Sequence, residues 1–226
     1  MKLEEMLAKM AVTRPPIRIS KDTTAMVLID MQVLAAPSHV VAGAVASGIS
    51  EEDAWEAIRD YEDRFNSAIA NAKKLLCACR EKGIVPIHIR VQSYSGGARD
   101  TGRLHKKLNF FCPPGSEWSA WLPDVAPLPG EIELVKTCSG AVVGTKIDRI
   151  LRNMGITELF AVGFYTDQCV ETTVRDLADC GYDVALVTDA TATETSKRKA
   201  NTIENIVNVY CSGESTEDIL KKIRSL

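Results

Sequence analysis

The chain alternates between short, uninterrupted apolar runs and longer stretches whose apolar residues recur every three or four positions. The runs are Thr24–Ile29, 84–91, 131–135, 159–162 and 183–187, and helical spacing marks 50–81, 145–154, 171–180 and 197–207. In the first of these stretches Trp55, Ile58, Phe65, Ile69, Ala72, Leu75 and Leu76 carry the period, and Gly83 stands where a helix-ending glycine belongs. Runs that are apolar throughout, without alternation, are buried on both faces. The pattern therefore predicts an α/β fold, a single domain over 1–226 in which helices cover both faces of a parallel sheet, a Rossmann-like arrangement of three layers. The link 188–193 leads into the last of these helices. The segment 92–122 is Gly-rich, basic and aromatic, and reads as a lid or substrate-specific loop.

At 226 residues and 46% hydrophobic the chain can bury a full core. A net charge of −3 and a pI near 5.7 give no electrostatic reason to expect nucleic acid or an anionic membrane as partner. No apolar stretch approaches the ~20 residues that span a bilayer. Residues 1–10 mix Lys and Glu at helical spacing and lack a signal-peptide core, so a cytoplasmic protein is expected. Seven cysteines are an odd number for a disulfide framework. Cys77 and Cys79 form a C-x-C pair on a helix, where they point to different faces, so neither metal nor redox chemistry is expected of them.

Ligands of parallel sheets bind outside the carboxyl ends of the strands. Three chemistry-bearing residues stand there: Asp30, Lys136 and Cys169. Cys169 lies in a turn between a strand and a helix, where backbone N–H groups and the helix dipole are expected to lower the thiol pKa. Asp30 is placed to act as its base, with Lys136 ordering the set electrostatically. His88 lies inside a strand and His105 among the charges of 103–107, so a Cys–His dyad has less support. No G-x-G-x-x-G loop follows the first strand, which disfavours a nucleotide binder. Cys169 has no partner at C-x-x-C spacing, which disfavours a thiol redox enzyme.

Three blocks, in order, are more specific. They are Ala25-Met26-Val27-Leu28-Ile29-Asp30-Met31-Gln32, Lys136 followed by Gly144-Thr145, and Gly163-Phe164-Tyr165-Thr166-Asp167-Gln168-Cys169-Val170-Glu171-Thr172-Thr173. With Asp189-Ala190, the chain resembles the isochorismatase-like cysteine hydrolases, the superfamily of nicotinamidases, N-carbamoylsarcosine amidases, ureidoacrylate amidohydrolases and biuret hydrolases. The resemblance runs from Thr24 to about Val209. It implies the isochorismatase-like fold and a catalytic triad of Asp30, Lys136 and Cys169. It also implies an oxyanion hole from the backbone N–H groups of Tyr165 and Cys169, shaped by a cis peptide between Phe164 and Tyr165.

The departures from the family pattern bear on the substrate. Val33-Leu34-Ala35-Ala36-Pro37 and Gly140-Ala141-Val142 each lack an aromatic of the family, so a wall that stacks a flat pyridine ring is not expected. The metal-binding Asp-x-His cluster of nicotinamidases is absent, and no metal or other cofactor is expected. Retention of the cysteine argues for C–N hydrolysis rather than vinyl-ether cleavage. The expected activity is metal-independent hydrolysis of a small amide, with a carbamoyl or ureido compound leading. A maleamate- or nicotinamide-like amide and a non-catalytic binding module are the alternatives. Gln32, Arg90 and Gln168 are candidate substrate contacts. The apolar stretch 33–49 is read as an interface or lid, and a homodimer or homotetramer is expected from the resemblance.

Overall fold

The computed structural model describes residues 2–10 and 13–226. The strands are β1 (Thr24–Ile29), β2 (Val85–Val91), β3 (Ile132–Lys136), β4 (Glu158–Phe164), β5 (Asp183–Ala192) and β6 (Ser212–Glu214). They form one sheet in the order β3-β2-β1-β4-β5-β6, with every neighbouring pair parallel. Around it lie α1 (Leu3–Met10), α2 (Pro37–Ala46), α3 (Glu51–Lys82), α4 (Arg103–Lys107), α5 (Ala141–Gly144), α6 (Ile147–Asn153), α7 (Glu171–Asp179), α8 (Ser196–Ile206) and α9 (Thr216–Arg224). Among the described residues no helix is long and apolar enough to cross a membrane.

The central strand β1 shows why the apolar runs lack alternation. Met26 and Leu28 join the core under α3 and α9, while Ala25, Val27 and Ile29 join the core under α6 and α7. Both faces are buried, so every position is apolar. The long helix α3 starts at Ser50, whose side chain accepts from the Asp53 N–H, and ends at Gly83 in the left-handed conformation with φ 73.

β6 and α9 are among the elements that lie beyond the sequence expectation, with α2, α4 and α5. β6 has only three residues, Ser212-Gly213-Glu214, and no apolar run to reveal it. α9 opens with a reciprocal capping box between Ser215 and Asp218 and buries Ile219, Leu220 and Ile223. The link expected over 188–193 is corrected as well, because β5 continues to Ala192. Past an irregularity between Ala161 and Gly163, Thr191 and Ala192 pair with Gly163 and Phe164. The stretch 33–49 forms a 3-10 turn (Val33–Ala35) and α2, with Val45 and Ile49 exposed.

Candidate active site

The sheet order decides how the three residues meet. β3 and β1 are separated by β2, so their backbones lie about 10 Å apart at two inter-strand spacings. Only a long side chain spans that gap. Lys136, the last residue of β3, reaches across and places Nζ 2.7 Å from Asp30 Oδ2 and 3.3 Å from Cys169 Sγ. Its third polar contact is the Cys138 carbonyl at 3.1 Å. The lysine is 0% exposed, Asp30 5% and Cys169 6%, so water screens this set very little. Asp30 has φ 50, an uncommon conformation that turns the chain sharply after β1, and its N–H donates to the Ile89 carbonyl at 2.8 Å. Asp30 Oδ2 is taken by the lysine, while Oδ1 is buried and accepts no hydrogen bond from a described residue.

Two glycines permit this convergence. A Cβ on Gly163 would lie 2.0 Å from the Ile29 carbonyl oxygen, so β4 can approach β1 here only without a side chain. A Cβ on Gly144 would meet Cys138 Sγ at 2.8 Å and Lys136 Cβ at 2.9 Å. That close approach lets α5 close over the lysine stem.

Cys169 sits in a single π-helical turn, Thr166–Val170, that runs into α7. In an α-helical turn the Tyr165 carbonyl would accept from the Cys169 N–H. Here it accepts from Gln168 at 3.1 Å and Val170 at 3.2 Å instead. The Phe164–Tyr165 peptide bond is cis. The turn is braced from β5 and α8: Thr166 Oγ1 meets Thr191 Oγ1 at 2.9 Å, and Asp167 accepts from Thr193 Oγ1 at 2.5 Å and from Arg198.

The electrostatics correct one expectation. Burial, then the charge of Asp30, pushes the Cys169 thiol up to about 12, and Lys136 opposes this without reversing it. The helix-terminus effect expected to depress the thiol is outweighed because the sulfur is out of water and beside a carboxylate. Asp30 is itself raised by burial, against the pull of Lys136. Lys136 is raised to about 12, the charges of Asp30 and Cys169 outweighing its burial. Lys136 thus stands between the two groups, paired with Asp30 and within reach of the thiol.

The cleft beside Cys169 is lined by Asp30, Gln32, Leu34, Ala35, Val91, Phe110, Phe164, Tyr165, Gln168 and Cys169. Gln168 lies on this wall. Gln32 also lines it, but its amide is not available as expected. Nε2 donates to Val91 O at 3.0 Å and Trp118 O at 2.8 Å, and Oε1 accepts from Val91 N at 2.6 Å. It clamps the end of β2 to the covering loop. Arg90 is corrected too, since its side chain is not in the cleft. Nη1 donates to Ser119 O at 3.1 Å, and the guanidinium lies 4.8 Å from the centre of the Trp121 ring. The covering segment contributes Phe110, a ring that sequence reasoning placed in the loop without assigning it to the site. Leu34, Ala35, Val91 and Phe164 were also missed, because an apolar wall residue looks like any core residue in a sequence.

This fold is that of the isochorismatase-like hydrolases. Residues 24–218 match the isochorismatase domain family, and the chain belongs to it. It is 27% identical over 193 residues to a ureidoacrylate amidohydrolase, RutB, of Agrobacterium fabrum, covering 78% of this chain and 78% of that protein. A crystal structure of an isochorismatase-family protein from Chromobacterium violaceum superposes with a TM-score of 0.70 at 26% identity, covering 95% of this chain and 100% of the other. The structure of a cysteine hydrolase from Pseudomonas syringae pv. phaseolicola superposes with a TM-score of 0.75 at 20% identity, over 95% of this chain and 99% of that one.

Proposed function

We propose that this chain is a metal-independent cysteine amidohydrolase of the cytoplasm that cleaves the C–N bond of a small amide of the carbamoyl or ureido kind. The observation that carries this reading is the division of Asp30: one oxygen is held by Lys136 and the other is buried and unengaged. That second oxygen takes the Cys169 proton as sulfur attacks the carbonyl carbon. The C–S bond forms, and the developing oxyanion is received by the N–H groups of Tyr165 and Cys169. The tetrahedral intermediate then collapses. The C–N bond breaks, Asp30 returns its proton to the nitrogen, and ammonia or an amine leaves. Water attacks the thioester with Asp30 as base, the C–S bond breaks, and the proton passes back to sulfur. Throughout, Lys136 keeps a positive charge beside whichever of the two acids is ionised. Kinship with a ureidoacrylate amidohydrolase favours the carbamoyl or ureido class. The apolar helix α2, with Val45 exposed, is the face on which a homodimer or homotetramer would form.

The test is ammonia release from N-carbamoyl amino acids, ureidoacrylate analogues, biuret, maleamate and nicotinamide, with EDTA present throughout. Activity on one member that survives EDTA and falls about 10⁴-fold or more in Cys169→Ser is expected. Because Asp30 works as a base only when ionised, kcat/KM falls as pH drops through its raised pKa, above the ordinary 3.8. Silence of wild type on every member would favour a binding module.

A further inference from the structure

We propose that the cleft selects for substrates that are uncharged away from the scissile amide, an inference that rests on the hydrolase reading for its substrate but not for its test. Leu34, Ala35, Val91, Phe110 and Phe164 give the wall five apolar side chains. Among the described residues lining the cleft no arginine, lysine or histidine appears. Three cations of the surrounding elements are committed elsewhere. Lys136 is fully buried and paired with Asp30, Arg90 lies on Trp121, and Arg198, beyond Tyr165, is paired with Asp167 and Glu194. Arg99, Arg103, Lys106 and Lys107 of the covering segment are exposed, and Lys106 donates to the Arg99 carbonyl.

A carboxylate entering this wall would lose its water with no cation to replace it, and would approach the charge of Asp30. Both effects oppose binding. A neutral polar group costs far less to desolvate than an ion, and Gln168, half-buried on the wall, offers it a neutral amide. The substrate class that fits is a small neutral urea or amide with a short apolar tail, rather than an N-carbamoyl amino acid or another acid-bearing amide.

Iodoacetamide and iodoacetate read this selection directly, because they are alike in size and differ in charge. Their alkylation rates are measured at Cys169 by peptide mass spectrometry, with the exposed Cys77 of the same molecule as reference. The amide-to-acid rate ratio is expected to be tenfold or more higher at Cys169 than at Cys77. A ratio at Cys169 equal to or below that at Cys77 overturns the proposal. Gln168→Lys places a cation on the wall and is expected to bring the Cys169 ratio down at least fivefold. An unchanged ratio there would show that the wall does not set the selection.

In the active enzyme, isobutylurea is expected to exceed N-carbamoylglycine in kcat/KM, since the two share one skeleton and differ by the carboxylate. The reverse order would also overturn the proposal. The alkylation ratio does not depend on turnover. A chain that hydrolyses no amide yet keeps a high ratio refutes the hydrolase reading alone, and an active chain with a low ratio refutes this inference alone.

Discussion

At the strand ends the one lysine is fully buried and gives its ammonium to Asp30, to the Cys138 carbonyl and to Cys169. In the cover above them, residues 92–122, the four cations of 99–107 face solvent and the contribution to the cleft is a phenyl ring, Phe110. The frame holds the buried charges and most of the apolar wall, Leu34, Ala35, Val91 and Phe164, and the cover adds one ring to it. The two regions are joined by the Gln32 amide, which holds Val91 to Trp118. Substitutions in the two regions should therefore fail differently.

The largest effect is expected in the frame. Lys136→Met removes the partner of a buried carboxylate, and an uncompensated charge at such a depth costs about 3–5 kcal/mol. Urea unfolding should show that loss, and activity should vanish with it. Adding Asp30→Asn removes the orphaned charge, so the double variant should recover most of the stability while staying inactive. A double variant no more stable than Lys136→Met would mean that the lysine matters for packing rather than for charge.

The joint between the regions comes next. Gln32→Leu leaves three buried backbone groups without their partner, worth about 2–3 kcal/mol in total once relaxation is allowed for. Hydrogen exchange should quicken in 112–122 and at the end of β2, and Cys169 should be alkylated faster as the cover loosens. Unchanged exchange in the cover would show that the bridge between Gln32 and Trp121 and the bonds from Val33 and Leu122 suffice to hold it.

The same division explains what was legible in the sequence. Asp30 and Lys136 follow directly on apolar runs and Cys169 lies in the turn after another, so the strand pattern brought them to one edge of the sheet. Gly144 and Gly163 fell within the family blocks, and their reason became visible only as contacts. Arg90 sits on a strand and looked available, yet a residue's face depends on register. Its partner Trp121 arrives from a segment with no pattern to place it. The Cys169 thiol was misjudged for a related reason: a helix terminus is local and readable, whereas burial beside Asp30 is tertiary. β6 was too short to show, and α9 carried a capping box that the apolar pattern alone did not reveal.

The smallest effect is expected for Arg90, and it bears most sharply on the contrast between the regions. Arg90→Gln loses a stacking contact on Trp121 and a hydrogen bond to the Ser119 carbonyl, together about 1–2 kcal/mol at a half-buried site. Neither contact faces the cleft. Steady-state kinetics should leave kcat and KM within about threefold of wild type, because the lost energy belongs to the back of the cover and not to the substrate. If Arg90 instead met a substrate carboxylate, its removal would raise KM by a hundredfold or more, the scale of a lost charge-assisted hydrogen bond in a closed site. That outcome would require the cover to rearrange so that Arg90 leaves Trp121, and it would put a cation of β2 on the substrate.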